Sequence, residues 1–151
     1  MKKLILLLVM VAATTMIQAQ LVEKDGIYYD SNNNPYSGTY IEYYPDGTIR
    51  LEMTLQEGKK DGPTTYYFQN GNKKEIRFFK ANQMDGTWIT WDDNETKRAE
   101  ARYNNGKKDG KWLIWDENGT LRYEMEYTMG EKTGVWSIYD ENGNLLSQRQ
   151  Y

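Results

Sequence analysis

Apolar and polar side chains alternate strictly from residue 49 to 55, where Ile49, Leu51, Met53 and Leu55 are separated by Arg50, Glu52 and Thr54. The stretch from Leu121 repeats the pattern, setting Leu121, Tyr123, Met125 and Tyr127 against Arg122, Glu124 and Glu126. A period of two puts one set on a buried face and the other in water, which predicts β-strands. Between these stretches the pattern weakens, because Lys73, Glu75, Lys97 and Ala99 interrupt the apolar side. A shorter aromatic run precedes each alternating one. It holds Tyr40, Thr64, Trp88, Trp112 and Trp136, and three places later Tyr43, Tyr67, Trp91, Trp115 and Tyr139. Large rings in short runs favour strands over helices.

The joints between these runs are periodic. Gly38, Gly62, Gly86, Gly110 and Gly134 recur every 24 residues. Gly47, Gly71, Gly119 and Gly143 keep the same step and lapse only at Glu95, while Gly58, Gly106 and Gly130 lapse only at Asn82. Three combs on one period indicate a short unit copied about five times. Asp46-Gly47, Asn70-Gly71, Asn118-Gly119 and Asn142-Gly143 predict tight hairpin turns. Connections such as Gly106-Lys107-Lys108-Asp109-Gly110 predict a looser return to the next copy. The expected fold is all-β: an elongated single-layer antiparallel meander of roughly ten strands, on the order of 50 Å long at about 4.8 Å per strand. The two aromatic positions of each unit have opposite parity. Either a bulge brings them together or both faces of the ribbon are partly apolar, and the sequence leaves both open. Residues 20–35, with Asp25-Gly26-Ile27-Tyr28-Tyr29 as a truncated opening unit, read as a cap before repeats spanning 36–151.

Composition adds a compartment and removes several functions. Lys2 and Lys3, the apolar run Leu4 to Ala13 and the small Ala19 read as a secretory signal peptide over 1–19, cleaved after Ala19. The run is short for a membrane span of roughly 20 residues. The expectation is therefore a periplasmic or secreted protein with no transmembrane span after processing. Removing Lys2 and Lys3 from 19 basic residues leaves 17 against 22 acidic, a net charge of −5. That disfavours nucleic acid, whose phosphates reward a basic face. The chain has no cysteine and no histidine, so disulfides, an acylated cysteine and the common nucleophile–base pairs are all absent.

The unit Asp109-Gly110-Lys111-Trp112 … Trp115-Asp116-Glu117-Asn118-Gly119 … Glu124 … Tyr127 … Gly130 resembles the variant form of the MORN (membrane occupation and recognition nexus) repeat. Lys59-Lys60-Asp61-Gly62 and Lys107-Lys108-Asp109-Gly110 resemble the connections of its bacterial, antitoxin-like form. The likeness covers residues 25–151 and departs at Thr64, Asn82 and Glu95. It implies an extended single-layer β-ribbon with a binding or scaffolding role.

No catalytic constellation, cofactor site or metal site is expected. Asp61, Asp85 and Asp109 recur one place before a glycine, as turn formers do. The oxygen-rich Asp116–Gly119 and Asp140–Asn144 stretches lack the spaced carboxylates of a calcium loop and read as hairpin turns. The candidate binding surface is the set Trp88, Trp91, Trp112, Trp115, Trp136 and Tyr139, which serves either as ribbon core or as an exposed ladder. Such a ladder anchors a protein partner or stacks on sugar rings and choline-like cations. The leading expectation is an exported, non-enzymatic scaffold for a protein or cell-envelope component. The alternatives are carbohydrate or choline binding and an outer-membrane barrel. Open ribbon edges also allow a homodimer by edge pairing.

Overall fold

The computed structural model describes residues 21–151, so the leader expected over 1–19 lies outside the described residues. Two strands, β1 (Val22–Lys24) and β2 (Ile27–Tyr29), form a small hairpin. The following strands are β3 (Gly38–Tyr43), β4 (Ile49–Gln56), β5 (Lys59–Tyr67), β6 (Lys73–Lys80), β7 (Gln83–Trp91) and β8 (Lys97–Asn104). After them come β9 (Lys107–Lys108), β10 (Gly110–Trp115), β11 (Leu121–Thr128), β12 (Glu131–Tyr139) and β13 (Leu145–Gln150). From β3 onward they make one 11-stranded antiparallel sheet in which each strand pairs with its neighbours in the chain. β9 and β10 are the halves of one strand, parted where the Asp109 amide donates to the Arg102 carbonyl at 2.9 Å. The strand path is open, ending at β3 and β13, so the sheet is a ribbon and not the closed barrel weighed above.

The two turn types exchange the roles the sequence suggests. The two-residue turns fall at Glu57-Gly58, Ala81-Asn82, Asn105-Gly106 and Met129-Gly130, where both residues have positive φ. That is the type I′ geometry whose twist matches the flanking strands. The Asp46-Gly47, Asn70-Gly71, Asn118-Gly119 and Asn142-Gly143 steps instead close three-residue loops. The Gly47 amide donates to the Tyr44 carbonyl, the Tyr44 amide donates to the Thr48 carbonyl, and only Gly47 within the loop is left-handed, at φ +87°. This is a type I turn with a glycine bulge. The same pair of bonds recurs at Phe68–Asn72, Asp92–Thr96, Asp116–Thr120 and Asp140–Asn144.

The leading glycine comb lies in a bulge. Met53 pairs with Thr64 and Leu55 with Lys60, so Asp61-Gly62-Pro63 is looped out against Thr54. On its other side Gly62 faces Phe79, Gly86 faces Tyr103 and Gly110 faces Tyr127. A missing side chain thus stands opposite a large ring. The preceding residue ties consecutive units together. Asp61 accepts from the Ala81 amide, Asp85 from Asn105 and Asp109 from Met129, each at 3.1 Å, and Ser37 plays the same part for Glu57 at 2.8 Å. Each recurring acid therefore fixes the I′ turn of the following hairpin.

The pleat gives the ribbon two unlike faces. Leu51, Met53, Leu55, Thr64, Ala101 and Tyr127 are buried, and the registers put all six on one side, the core face. In a single layer something must cover them. At the first unit the cover is the N-terminal segment, whose Leu21, Tyr28 and Tyr36 pack with Tyr40 and Tyr66 against Leu51, Met53 and Leu55. The Tyr28 amide donates to the Gly58 carbonyl and the Gly58 amide to the Tyr36 carbonyl, which fixes this roof to the I′ turn. Full burial of a Leu or Met side chain contributes about 1.5–3 kcal/mol each.

Candidate binding face

The opposite parity of the aromatic positions persists in three dimensions, because the register shift just before Trp91, Trp115 and Tyr139 bulges out Arg98, Arg122 and Leu146 on the neighbouring strand and does not unite the rings. Trp88, Trp112 and Trp136 stand on the core face, while Trp91, Trp115 and Tyr139 stand on the other. The six candidate residues are therefore two separate files. The file on the core face includes residues that the sequence reading left out of the site. Trp88, Tyr103, Trp112, Tyr127, Trp136 and Tyr151 form an unbroken series with successive ring centroids 4.6–6.0 Å apart, all tilted. Tilted aromatic pairs at such spacing add about 0.5–1.5 kcal/mol each beyond their burial. The period carried the signal for these tyrosines, since each lies 17 places after a leading glycine.

The indole nitrogens anchor the file to the backbone. Trp112 Nε1 donates to the Arg102 carbonyl at 3.2 Å and Trp136 Nε1 to the Glu126 carbonyl at 3.0 Å. Trp88 Nε1 is buried without a partner. Burial pushes the Tyr103 hydroxyl pKa above its ordinary value, because the charged phenolate is the form penalised by desolvation.

Cations interleave with the rings. Lys108 Nζ lies 4.1 Å from the Trp112 centroid and 4.7 Å from Tyr127, and Lys132 Nζ lies 4.5 Å from Trp136 and 4.9 Å from Tyr151. Arg77 stacks over Trp88 and Arg149 over Tyr151. These ring faces already hold the protein's own positive charges, which weighs against capture of a choline-like cation there.

The other file is pinned in a polar setting. Tyr67 and Tyr139 donate through their hydroxyls to Glu52 and Glu124, each at 3.4 Å, and Lys97 lies 5.2 Å from the Trp115 centroid. Lys73, Trp91 and Glu95 line a small depression. The oxygen-rich turns are engaged internally. Asp116 Oδ1 accepts from the Asn118 and Thr120 amides, and Asp140 Oδ1 from those of Asn142 and Asn144.

At the C-terminal end the core face is open. Tyr123, Met125, Trp136, Ser137, Ile138, Ser147, Arg149 and Tyr151 line a groove of about 450 Å³, within the usual range for ligand clefts. Tyr123, Ile138 and Tyr151 are 42, 40 and 40 % exposed. Three units earlier, Leu51, Met53 and Leu55 occupy the places of Tyr123, Met125 and Tyr127 beneath the N-terminal roof. No helix among the described residues is long and apolar enough to cross a membrane.

The profile described as MORN repeat variant matches residues 36–57, 60–81, 108–128 and 132–151. It skips the unit containing Asn82 and Glu95, yet β7 and β8 of that unit pair as the others do. No curated protein matches the chain.

Proposed function

The chain belongs to the MORN repeat variant family, and from that premise we propose that it is an exported, non-enzymatic binding module holding a protein or cell-envelope partner on its core face. The observation that carries this reading is the open groove walled by Tyr123, Trp136, Ile138 and Tyr151, at the end of the ribbon that the N-terminal segment does not roof. Rigid aromatic walls with a few polar groups suit a protein anchor. The lack of cysteine and histidine supports a non-catalytic role. Ser37 and Ser137, two of the few serines, are engaged by Glu57 and Gln148.

The test compares the intact chain with a Tyr123→Ser/Ile138→Ser variant, both used to capture partners from envelope extract. The expected result is a defined partner bound by the first and lost by the second, with unchanged thermal stability. Equal capture by both, or turnover of model substrates, overturns the reading. Export is tested by fractionation and N-terminal sequencing, with Gln20 expected as the first residue.

One feature favours a second reading, carbohydrate binding. Trp136 and Tyr151 flank Ser147 and Arg149 in the groove, an arrangement of ring faces beside hydrogen-bonding groups that suits a sugar. Tryptophan fluorescence unchanged by envelope glycans would exclude it.

A further inference from the structure

Four earlier units set a precedent for each position of β13, and the strand departs from them in one direction. At its bulge position the other units carry Arg50, Lys74, Arg98 and Arg122, whereas the last carries Leu146, which is 62 % exposed. Gln148 takes the place of Glu52, Glu100 and Glu124, and Gln150 that of Glu126. β13 thus has no acid and a single charge, Arg149. All six of its residues are exposed, and it is the last strand of the sheet. Solvent-facing edges are ordinarily defended by charge, proline or a covering segment, since their free N–H and C=O groups invite another strand. Here the charge has been replaced by leucine and amides. β3, at the other edge, keeps the Glu42–Arg50 ion pair.

The backbone defines what can be added. The Tyr151 amide donates to the Gly134 carbonyl, so Trp136 with Arg149, two places back along the ladder, is also a hydrogen-bonded pair. Strict alternation then turns the N–H and C=O groups of Gln148 and Gln150 outward.

We propose that β13 is a homodimer interface, pairing antiparallel with β13 of a second copy about a two-fold axis through Gln148. In that register Gln148 faces its own counterpart as a hydrogen-bonded pair. Leu146 falls opposite Gln150, and Ser147 opposite Arg149, so the two guanidinium groups do not meet. Two-fold pairing keeps both core faces on the same side of a continuous sheet. The two grooves then adjoin, since Ser147, Arg149 and Tyr151 form the groove wall at this edge. The occupant is a second copy because an isologous contact needs one self-complementary strand, and β13 meets that condition without juxtaposing like charges.

Sedimentation velocity of the intact chain from about 1 to 200 µM tests this. A monomer–dimer equilibrium with a dissociation constant on the order of micromolar is expected for an interface near the lower size limit. Leu146→Arg restores the residue type of the other units and is expected to weaken the dimer at least tenfold, leaving the melting temperature unchanged. The register has its own readout, because the chain has no cysteine. On oxidation Gln148→Cys is expected to crosslink to itself, while Leu146→Cys and Gln150→Cys crosslink only when mixed. A chain that stays monomeric at the top concentration overturns the proposal, as does a dimer indifferent to Leu146→Arg or one in which Gln148→Cys does not crosslink. Partner capture that survives Leu146→Arg leaves the groove reading standing, so the two fail separately.

Discussion

Asn82→Gly and Glu95→Gly would each complete a glycine comb, and the structure sets opposite signs on them. Both residues are left-handed, with φ of +71° and +64°. That conformation costs an ordinary L-residue about 1–2 kcal/mol, less for asparagine. Glycine removes this strain but returns about 0.5–1 kcal/mol, because its unfolded chain is freer. Glu95 keeps its loop bond, the Glu95 amide donating to the Asp92 carbonyl, whichever side chain it carries. Glu95→Gly is therefore expected to stabilise by about 0.5–1 kcal/mol. Asn82 does more than turn the chain. Its Nδ2 donates to the Gly26 carbonyl at 2.8 Å, and its Oδ1 accepts from the Lys60 amide at 2.7 Å, joining the N-terminal hairpin to the third unit. Losing two such bonds, each worth about 1 kcal/mol, outweighs the small relief of strain, so Asn82→Gly is expected to destabilise by about 2 kcal/mol. Urea denaturation gives both values, read from midpoints at constant slope. Stabilisation by both substitutions would refute the assignment of Asn82 as a tie and leave only the turn.

Other expectations rest on comparing equivalent positions. A Cβ on Gly58 would lie 2.5 Å from Ile27 Cγ2 and 2.8 Å from the Tyr28 carbonyl, whereas one on Gly106 meets nothing within 4 Å. Gly106→Ala is expected to cost only the left-handed strain of about 1–2 kcal/mol, and Gly58→Ala at least twice as much in the same urea melts. Met53, 2 % exposed beneath the roof, and the half-buried Met125 are the same repeat position. Met53→Ala is expected to cost about 2–5 kcal/mol and Met125→Ala less than half of that, and equal costs would deny the roof its role. The Thr48 hydroxyl and the Gln69 amide hold the Asp46 pKa down to about 2, and the side chain and backbone of Asn144 lower that of Asp140. Carboxylates depressed in the folded state confer stability that is present above the unfolded value of about 4 and lost as pH falls towards 2. With no histidine, melting temperature is expected to stay flat from about pH 5 to 8 and to fall below pH 4. A decline beginning above pH 5 would contradict this.

Most of the architecture was legible because every local signal agreed across the units. Period-two alternation, turn chemistry and three glycine combs all pointed to hairpins on one ladder. The turn types were exchanged because Asp-Gly and Asn-Gly suit a type I turn with a glycine bulge as well as a primed turn, and loop length decides between them. Glu57, Ala81, Asn105 and Met129 carry no common side-chain signal, so the true I′ positions could be read only from backbone geometry. The candidate site was half legible. Tryptophans are conspicuous, but grouping them by residue type joined two faces that the pleat separates. The partners of Trp112 and Trp136 are Tyr103, Tyr127 and Tyr151, residues visible as repeat positions but not as neighbours until the register across strands was known.

The same departures that blur the repeat give the ribbon its direction. A single β-layer has no second sheet to cover it, so each stretch of the core face needs a local cover. At the N-terminal end that cover is a separate hairpin, and the repeat gives up its tryptophan there. Thr64, 1 % exposed, takes the place that Trp88, Trp112 and Trp136 hold in later units. Beyond the reach of the hairpin the indoles themselves lie over the tyrosines, with Lys108 and Lys132 closing the ring faces. This second solution needs a following unit, because each tyrosine is flanked by the tryptophan of its own unit and that of the next, as Tyr127 is by Trp112 and Trp136. Tyr151 has only Trp136. Among the described residues the covering scheme is thinnest at this unit, and the open groove and the uncharged edge of β13 both lie there.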